Sequence, residues 1–125
     1  MTRAMKLLGI IPAVIAVGLH VSTFLRAPGE PSAFTVGLLL WSCVPYIFCV
    51  AAAFLFRSPL PAFVAGALAL TNDAIIYDAV FVHPRNSTAA ISLLFAPLVN
   101  LALVPLGLLV GWGGSRALAR VLRPN

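Results

Sequence analysis

Hydrophobic positions along this chain run nearly without interruption, and the polar positions that break them cluster at four places. Leu7 to Leu25, Pro31 to Phe56, Ser58 to Asn72 and Asn86 to Ser115 carry no charge. Continuous apolar runs of this kind, without the alternation of a half-buried strand, predict buried or membrane-embedded helices. Spanning a bilayer takes roughly 20 apolar residues. The runs therefore predict four transmembrane helices, at about 5–25, 33–56, 60–82 and 89–112. Turn chemistry lies between them: Ala27-Pro28-Gly29-Glu30-Pro31-Ser32, Arg57-Ser58-Pro59 and His83-Pro84-Arg85-Asn86-Ser87. Connections this short make neighbouring helices antiparallel. The expected fold is an all-α integral membrane four-helix bundle of up-down topology, a single membrane domain over 1–125, with no room for a soluble domain.

Composition agrees. Hydrophobic residues make up 62% of the chain and charged residues 9%, with a mean hydropathy of +1.07, far from the range of soluble globular proteins. The first segment begins with Arg3 and Lys6, as a signal peptide would, yet no small-residue cleavage site follows its apolar core and Thr23-Phe24-Leu25 continues it. A retained span is the expectation.

Charge adds an orientation. With the first helix starting in the cytoplasm, Arg3, Lys6, Arg57, Arg116, Arg120 and Arg123 fall inside and Arg26 and Arg85 outside. Positive residues favour the cytoplasmic side, so both termini are expected there, in a cytoplasmic (inner) membrane. The net charge of +5 is then a consequence of topology and gives no reason to expect nucleic acid as a partner. Beyond the fourth span, the basic amphipathic tail 115–123 sets Arg116, Arg120 and Arg123 on one face, opposite Leu118, Val121 and Leu122. It either contacts anionic lipid head groups or anchors the last span.

The candidate chemistry is polar and intramembrane. Two of the three acidic residues, Asp73 and Asp78, lie within the third segment, where a carboxylate is costly and usually faces a bundle interior or a water-filled cavity. At about 1.5 Å of rise per residue, Ser42, Asn72, Asp73 and Asn100 lie about 14 to 17 Å below the outer surface, near mid-membrane. These four, with Tyr77, form the candidate proton, ion or polar-core site. His20, Asp78 and Arg85 lie nearer the outer mouth, completing an outward-opening polar vestibule above an apolar plug. Asp73 and Tyr77, at i and i+4, share a helix face, while Asp78 points elsewhere, so the carboxylates are not expected to act as a pair. Asn100 or Ser42 is the expected partner of Asp73, and His20 or Arg85 that of Asp78. A carboxylate only accepts hydrogen bonds whereas its protonated form also donates one, which makes protonation of Asp73 a candidate switch. The alternative is interhelical glue.

Other features carry less. Cys43 and Cys49 are separated by about 9 Å of rise and about 120° on one helix, too far for a disulfide. Pro12, Pro45, Pro97 and Pro105 fall inside predicted helices, where they either break a helix at a site or are simply tolerated. Gly107 and Gly111, with Ala62 and Gly66, give two small-x-x-x-small pairs that either pack the third and fourth helices together or form a seam between copies. Asn86-Ser87-Thr88 matches a glycosylation acceptor but, so close to the membrane, more simply caps the fourth helix through Ser87 or Thr88.

No phosphate loop, nucleophile elbow or metal-binding motif is present, and no metal or cofactor is expected. The leading expectation is a non-enzymatic protein that acts by helix contacts as an accessory or protective partner of another membrane component, an immunity protein being one form. Its partners would be the lipid bilayer and either another membrane protein or a second copy of this chain. The alternative is a proton- or cation-coupled small transporter or channel using Asp73. A membrane-embedded enzyme acting on a lipid or quinone would need His20, Asp73 and Asp78 to converge.

Overall fold

The computed structural model describes residues 2–84 and 87–122. Arg85, Asn86 and Arg123, singled out above, lie outside the described residues. The protein is an all-α membrane bundle of four helices long and apolar enough to cross a bilayer: α1 (Arg3–Arg26), α2 (Ala33–Leu55), α3 (Leu60–Tyr77) and α4 (Ser92–Val121). Each is apolar around most of its circumference, and Leu, Ile, Val and Phe side chains on every helix face outward, as a lipid environment requires. The helices α2 and α3 pack against each other and against both α1 and α4. The section is thus a rhombus with α2 and α3 across its short diagonal.

The helix boundaries differ from expectation at two ends. The α-helix of the third segment stops at Tyr77 and widens into a π-helical turn, Asp78–Val82, closed by the His83 N–H donating to the Asp78 carbonyl at 2.8 Å. Pro84 has no N–H and disfavours helical backbone at the residue before it, so the helix must end here. The i, i+5 spacing of the wider turn also sets His83 Nδ1 3.0 Å from Asp78 Oδ1.

At the other end, α4 continues through the predicted tail to Val121, and the Arg116 guanidinium stacks 3.8 Å from the centre of the Trp112 ring one turn earlier. The capping expected of Ser87 or Thr88 is replaced by a 3-10 turn, Ala89–Ile91, in which the Thr88 carbonyl accepts from the Ile91 N–H, and α4 itself starts without a side-chain cap. By contrast, α2 opens with a reciprocal capping box between Ser32 and Thr35. All four interior prolines leave their helices continuous, so none produces a broken helix.

Small residues hold the bundle together. Lipid tails are as apolar as the helices, so burial supplies little drive for association and close backbone approach supplies it instead. The core is correspondingly rich in alanine: Ala13, Ala16, Ala65 and Ala69 surround Tyr46, Cys49 and Val104, and Ala52, Ala53 and Ala62 form a second cluster. Gly107 and Gly111 lie against α3 so closely that a Cβ on either would sit 2.4 Å from the Ala65 Cα and 2.5 Å from the Pro61 Cα. Their seam is therefore internal, and its α3 face is Pro61 and Ala65 where Ala62 and Gly66 were expected. Gly66 instead meets α1, where its Cβ would lie 3.2 Å from Pro12 Cβ, and Ala62 lies in the cluster with Ala52 and Ala53.

Gly107→Ala should force α3 and α4 apart and lower stability by about 1–3 kcal/mol, the usual cost of overpacking. Gly18→Ala, where a Cβ meets nothing within 4 Å, should be neutral or slightly stabilising. Unfolding of both variants in detergent, followed by circular dichroism, measures the difference.

Candidate functional site

Apolar surroundings leave a polar side chain only two ways to satisfy its hydrogen-bonding groups: its own backbone or another side chain. Thr23 and Thr71 take the first, donating to the carbonyls of Leu19 and Ala67 at 2.9 and 2.8 Å. The mid-membrane residues take the second. Asp73 is only 4% exposed and is the centre of a network to which all four helices contribute.

Each Asp73 oxygen has its own partners. Oδ1 accepts from Asn100 Nδ2 on α4 at 2.7 Å. Oδ2 accepts from the Tyr46 hydroxyl on α2 and lies 2.8 Å from His20 Nε2 on α1. Asn72, beside Asp73 on α3, donates to Asn100 Oδ1 at 2.9 Å and so fixes which way that amide points. Asn100 is thereby held with its NH2 group towards the carboxylate. Hydrogen bonds to a charged partner are worth about 1.5–3 kcal/mol each, and an orphaned buried group costs a comparable amount. The network consequently ties the four helices together partway along their length, where small-residue packing alone would let them slide.

Of the sequence-derived candidates, Asp73, Asn100 and Asn72 come together directly. Ser42 is buried one turn before Tyr46 and lines a small cavity with Asp73, and Tyr77 lines the same cavity with its ring 5.1 Å from that of Phe81. Two assignments need correction. His20 bonds Asp73, not Asp78: depth along the helix axis put it about one turn too high, and the reach of the imidazole closes that gap. Asp78 pairs with His83 instead, both largely exposed at the end of the π turn, so His20 and the two aspartates do not converge as an enzyme of the kind considered above would need.

Tyr46 was missed, although it supplies the largest fully buried side chain in the protein. A signal existed. It follows Ser42 by four residues, on the same helical face, one turn away from the level assigned to Asp73.

Space adjoins the network at more than one place: an open groove passes Tyr46 between Val17, Cys43, Ile47 and Val50, and other space lies beside Asp73 and His20. A cavity of about 30 Å³ touches Asp73, His20 and Ser42, and a larger one of about 160 Å³ continues from it, sharing His20, Thr23, Ser42, Phe81 and Leu93. The larger chamber extends along α1 from His20 to Ala27, a rise of about 10 Å. Its walls are mostly Leu and Phe. The expected polar vestibule is thus a mainly apolar chamber, with His20 and Ser42 at its inner end and the Thr23 and Thr35 hydroxyls, which donate to the Leu19 and Ser32 carbonyls, farther out. His20 occupies the boundary: its side chain is 16% exposed against 2% for that of Asp73. The imidazole is therefore the group through which the buried carboxylate meets the chamber.

The donors around Asp73 also limit what it can hold. Tyr46 and Asn100 present O–H and N–H groups to the carboxylate, which suit a negative charge and repel a metal cation. Among the described residues no group of three His, Cys, Asp or Glu side chains is arranged to hold a metal ion.

Asn100→Ala should cost about 1–3 kcal/mol of stability, because it leaves one Asp73 oxygen and the Asn72 amide without their partner. Combined with Tyr46→Phe it should be non-additive, since both residues act on one carboxylate. A double-mutant cycle of unfolding in detergent gives the coupling, and strict additivity would show the network to be energetically unconnected.

No family model matches this chain, and neither a curated protein nor a solved structure matches it.

Proposed function

We propose that this multi-pass membrane protein is a small proton-coupled transporter, not an enzyme, in which the His20–Asp73 pair takes up and releases a proton from the adjoining chamber. The observation that carries this reading is the position of His20. Its Nε2 is tied to a buried carboxylate while the ring itself lines both cavities.

Proton bookkeeping at the pair is simple. With one proton shared between Nε2 and Asp73, the pair carries a net charge of −1 and Nδ1 is a hydrogen-bond acceptor. A second proton makes the pair neutral. Whether the product is imidazolium with carboxylate or imidazole with carboxylic acid, Nδ1 carries a hydrogen in both. The added proton therefore enters at Nδ1, the nitrogen Asp73 does not use, and uptake turns that atom from acceptor to donor. The remaining ionisable side chains around the pair are Tyr46 and Cys43 on α2 and Tyr77 on α3, while α4 presents the neutral Asn100 amide. Removing a buried net charge is what a coupled transporter needs to change conformation, because an uncompensated charge is costly to move through a low-dielectric interior.

Coupling to a metal cation receives less support, given the donors aimed at Asp73. An accessory or immunity-like role through helix contacts would draw on exposed small-residue seams, and those at Gly66, Gly107 and Gly111 are occupied within the chain. An inner-membrane location with both termini cytoplasmic and an up-down helix path completes the proposal. The excess of positive residues on one side supports the orientation. Contact register supports the path: Gly9 lies beside Pro59 and Gly66 beside Pro12, whereas Gly107 lies beside Ala65 and Gly111 beside Pro61.

In vesicles containing the purified protein and a pH-sensitive dye, an imposed pH gradient should dissipate on the order of tenfold faster with the wild type than with Asp73→Asn or His20→Ala. Equal rates in all three would remove the pair from any proton path. Reporters fused to either terminus should both be active in the cytoplasm, and opposite locations would reverse the topology.

A further inference from the structure

The chamber above His20 has a size and a polarity, and together they specify a ligand. Its volume of about 160 Å³ is close to that of cavities lined by aliphatic and aromatic residues that hold a single benzene ring, roughly 150 Å³. Phe24, Leu39, Phe81 and Leu93 supply apolar walls, while His20 and Ser42 stand at the inner end, on the side shared with the Asp73 cavity. A lipid tail would fill the walls but leave the polar end unpaired. A purely apolar ring would do the same.

We propose that this chamber is a binding site for a small single-ring alcohol of the phenol type, its ring between the leucine and phenylalanine walls and its hydroxyl at His20 and Ser42. The hydroxyl follows from the proton chemistry, and to that extent the inference rests on the reading of His20–Asp73 as a proton site. The imidazole Nδ1 accepts a hydrogen bond before proton uptake and donates one after it. A carbonyl can answer only the second state and an ammonium group only the first. A hydroxyl both donates and accepts, so it remains bonded through the cycle, and the Ser42 hydroxyl beside it is equally adaptable. Charge argues the same way. An anion would meet the net negative pair before uptake, and a cation would lose its counter-charge after it.

Phe81 gives the site a wall that is itself half exposed. It lines both cavities from the π-helical turn that ends α3, and such turns are less regularly bonded than α-helix. A ring could enter by displacement of this side chain without unpacking the α3–α4 seam.

Phenol and benzene, titrated separately into the full-length protein in lipid nanodiscs, test the site, with empty nanodiscs measuring partition into lipid. Phenol should bind saturably at one site per chain and shift the His20 ring nitrogen signals, and benzene should bind about tenfold more weakly, the loss of one hydrogen bond. Leu39→Trp, which fills the chamber, should abolish phenol binding, and Ser42→Ala should weaken it while keeping the ring pocket. Equal binding of phenol and benzene, no saturable phenol binding, or phenol binding unchanged in both variants would overturn the inference. Dissipation of a pH gradient, measured with and without phenol, judges the proton reading separately: flux with no phenol site rejects this inference alone, and phenol binding without flux in either condition rejects the transporter.

Discussion

The structure depends on one buried carboxylate. A buried carboxylate in apolar surroundings is costly unless its lone pairs are answered, and the protein supplies the partners of Asp73. Three side chains from three other helices do so: Tyr46 and Asn100 donate to it and His20 Nε2 shares a hydrogen bond with it. Satisfying that single group fixes the rotation of α1, α2 and α4 about their axes and their level relative to α3. Small-residue packing then draws the helices to the spacing these bonds require, closest where Gly107 and Gly111 meet α3. The two constraints are complementary, since dispersion contacts between alanine and glycine surfaces set distance and directional hydrogen bonds set register.

The same satisfaction separates the two halves of the bundle. Where Gly107 and Gly111 meet Ala65 and Pro61, α3 and α4 approach backbone to backbone. On the other side of Asp73, the larger side chains of Phe24, Leu39, Phe81 and Leu93 diverge around open space. His20 is the member of the network that lines both cavities. Its Nε2 is held by a buried carboxylate while the ring lines the open space. That asymmetry underlies the proposal that the network is a site and not only a fastening.

Much of this was legible in the residues. Four uncharged runs separated by Pro, Gly and charged turns left little choice of fold, because a bilayer admits few solutions for a chain of this composition. Asp73, Asn100 and Asn72 could be brought to one level by counting rise along the helices, and the separation of Asp73 from Asp78 followed from helical angle alone. Counting failed for His20 and overlooked Tyr46. Both have long side chains that reach a turn or so beyond their own backbone, and axial position says nothing about which way a helix faces its neighbours. The π turn after Tyr77 was equally invisible: Pro84 announces a helix end, but the choice of i, i+5 bonding belongs to the local competition between backbone and the Asp78–His83 contact.

The sequence by itself determined that this is a four-helix membrane protein with a carboxylate held at mid-membrane, since hydropathy and spacing are properties of the chain read one residue at a time. Only the tertiary structure decided that His20, Tyr46 and Asn100 share that carboxylate, that the glycine seam is spent inside the molecule, and that a chamber opens at the imidazole. Those outcomes depend on how four helices rotate against each other. Rotation is set by the mutual fit of many weak contacts and a few directional bonds, and no single segment carries that information.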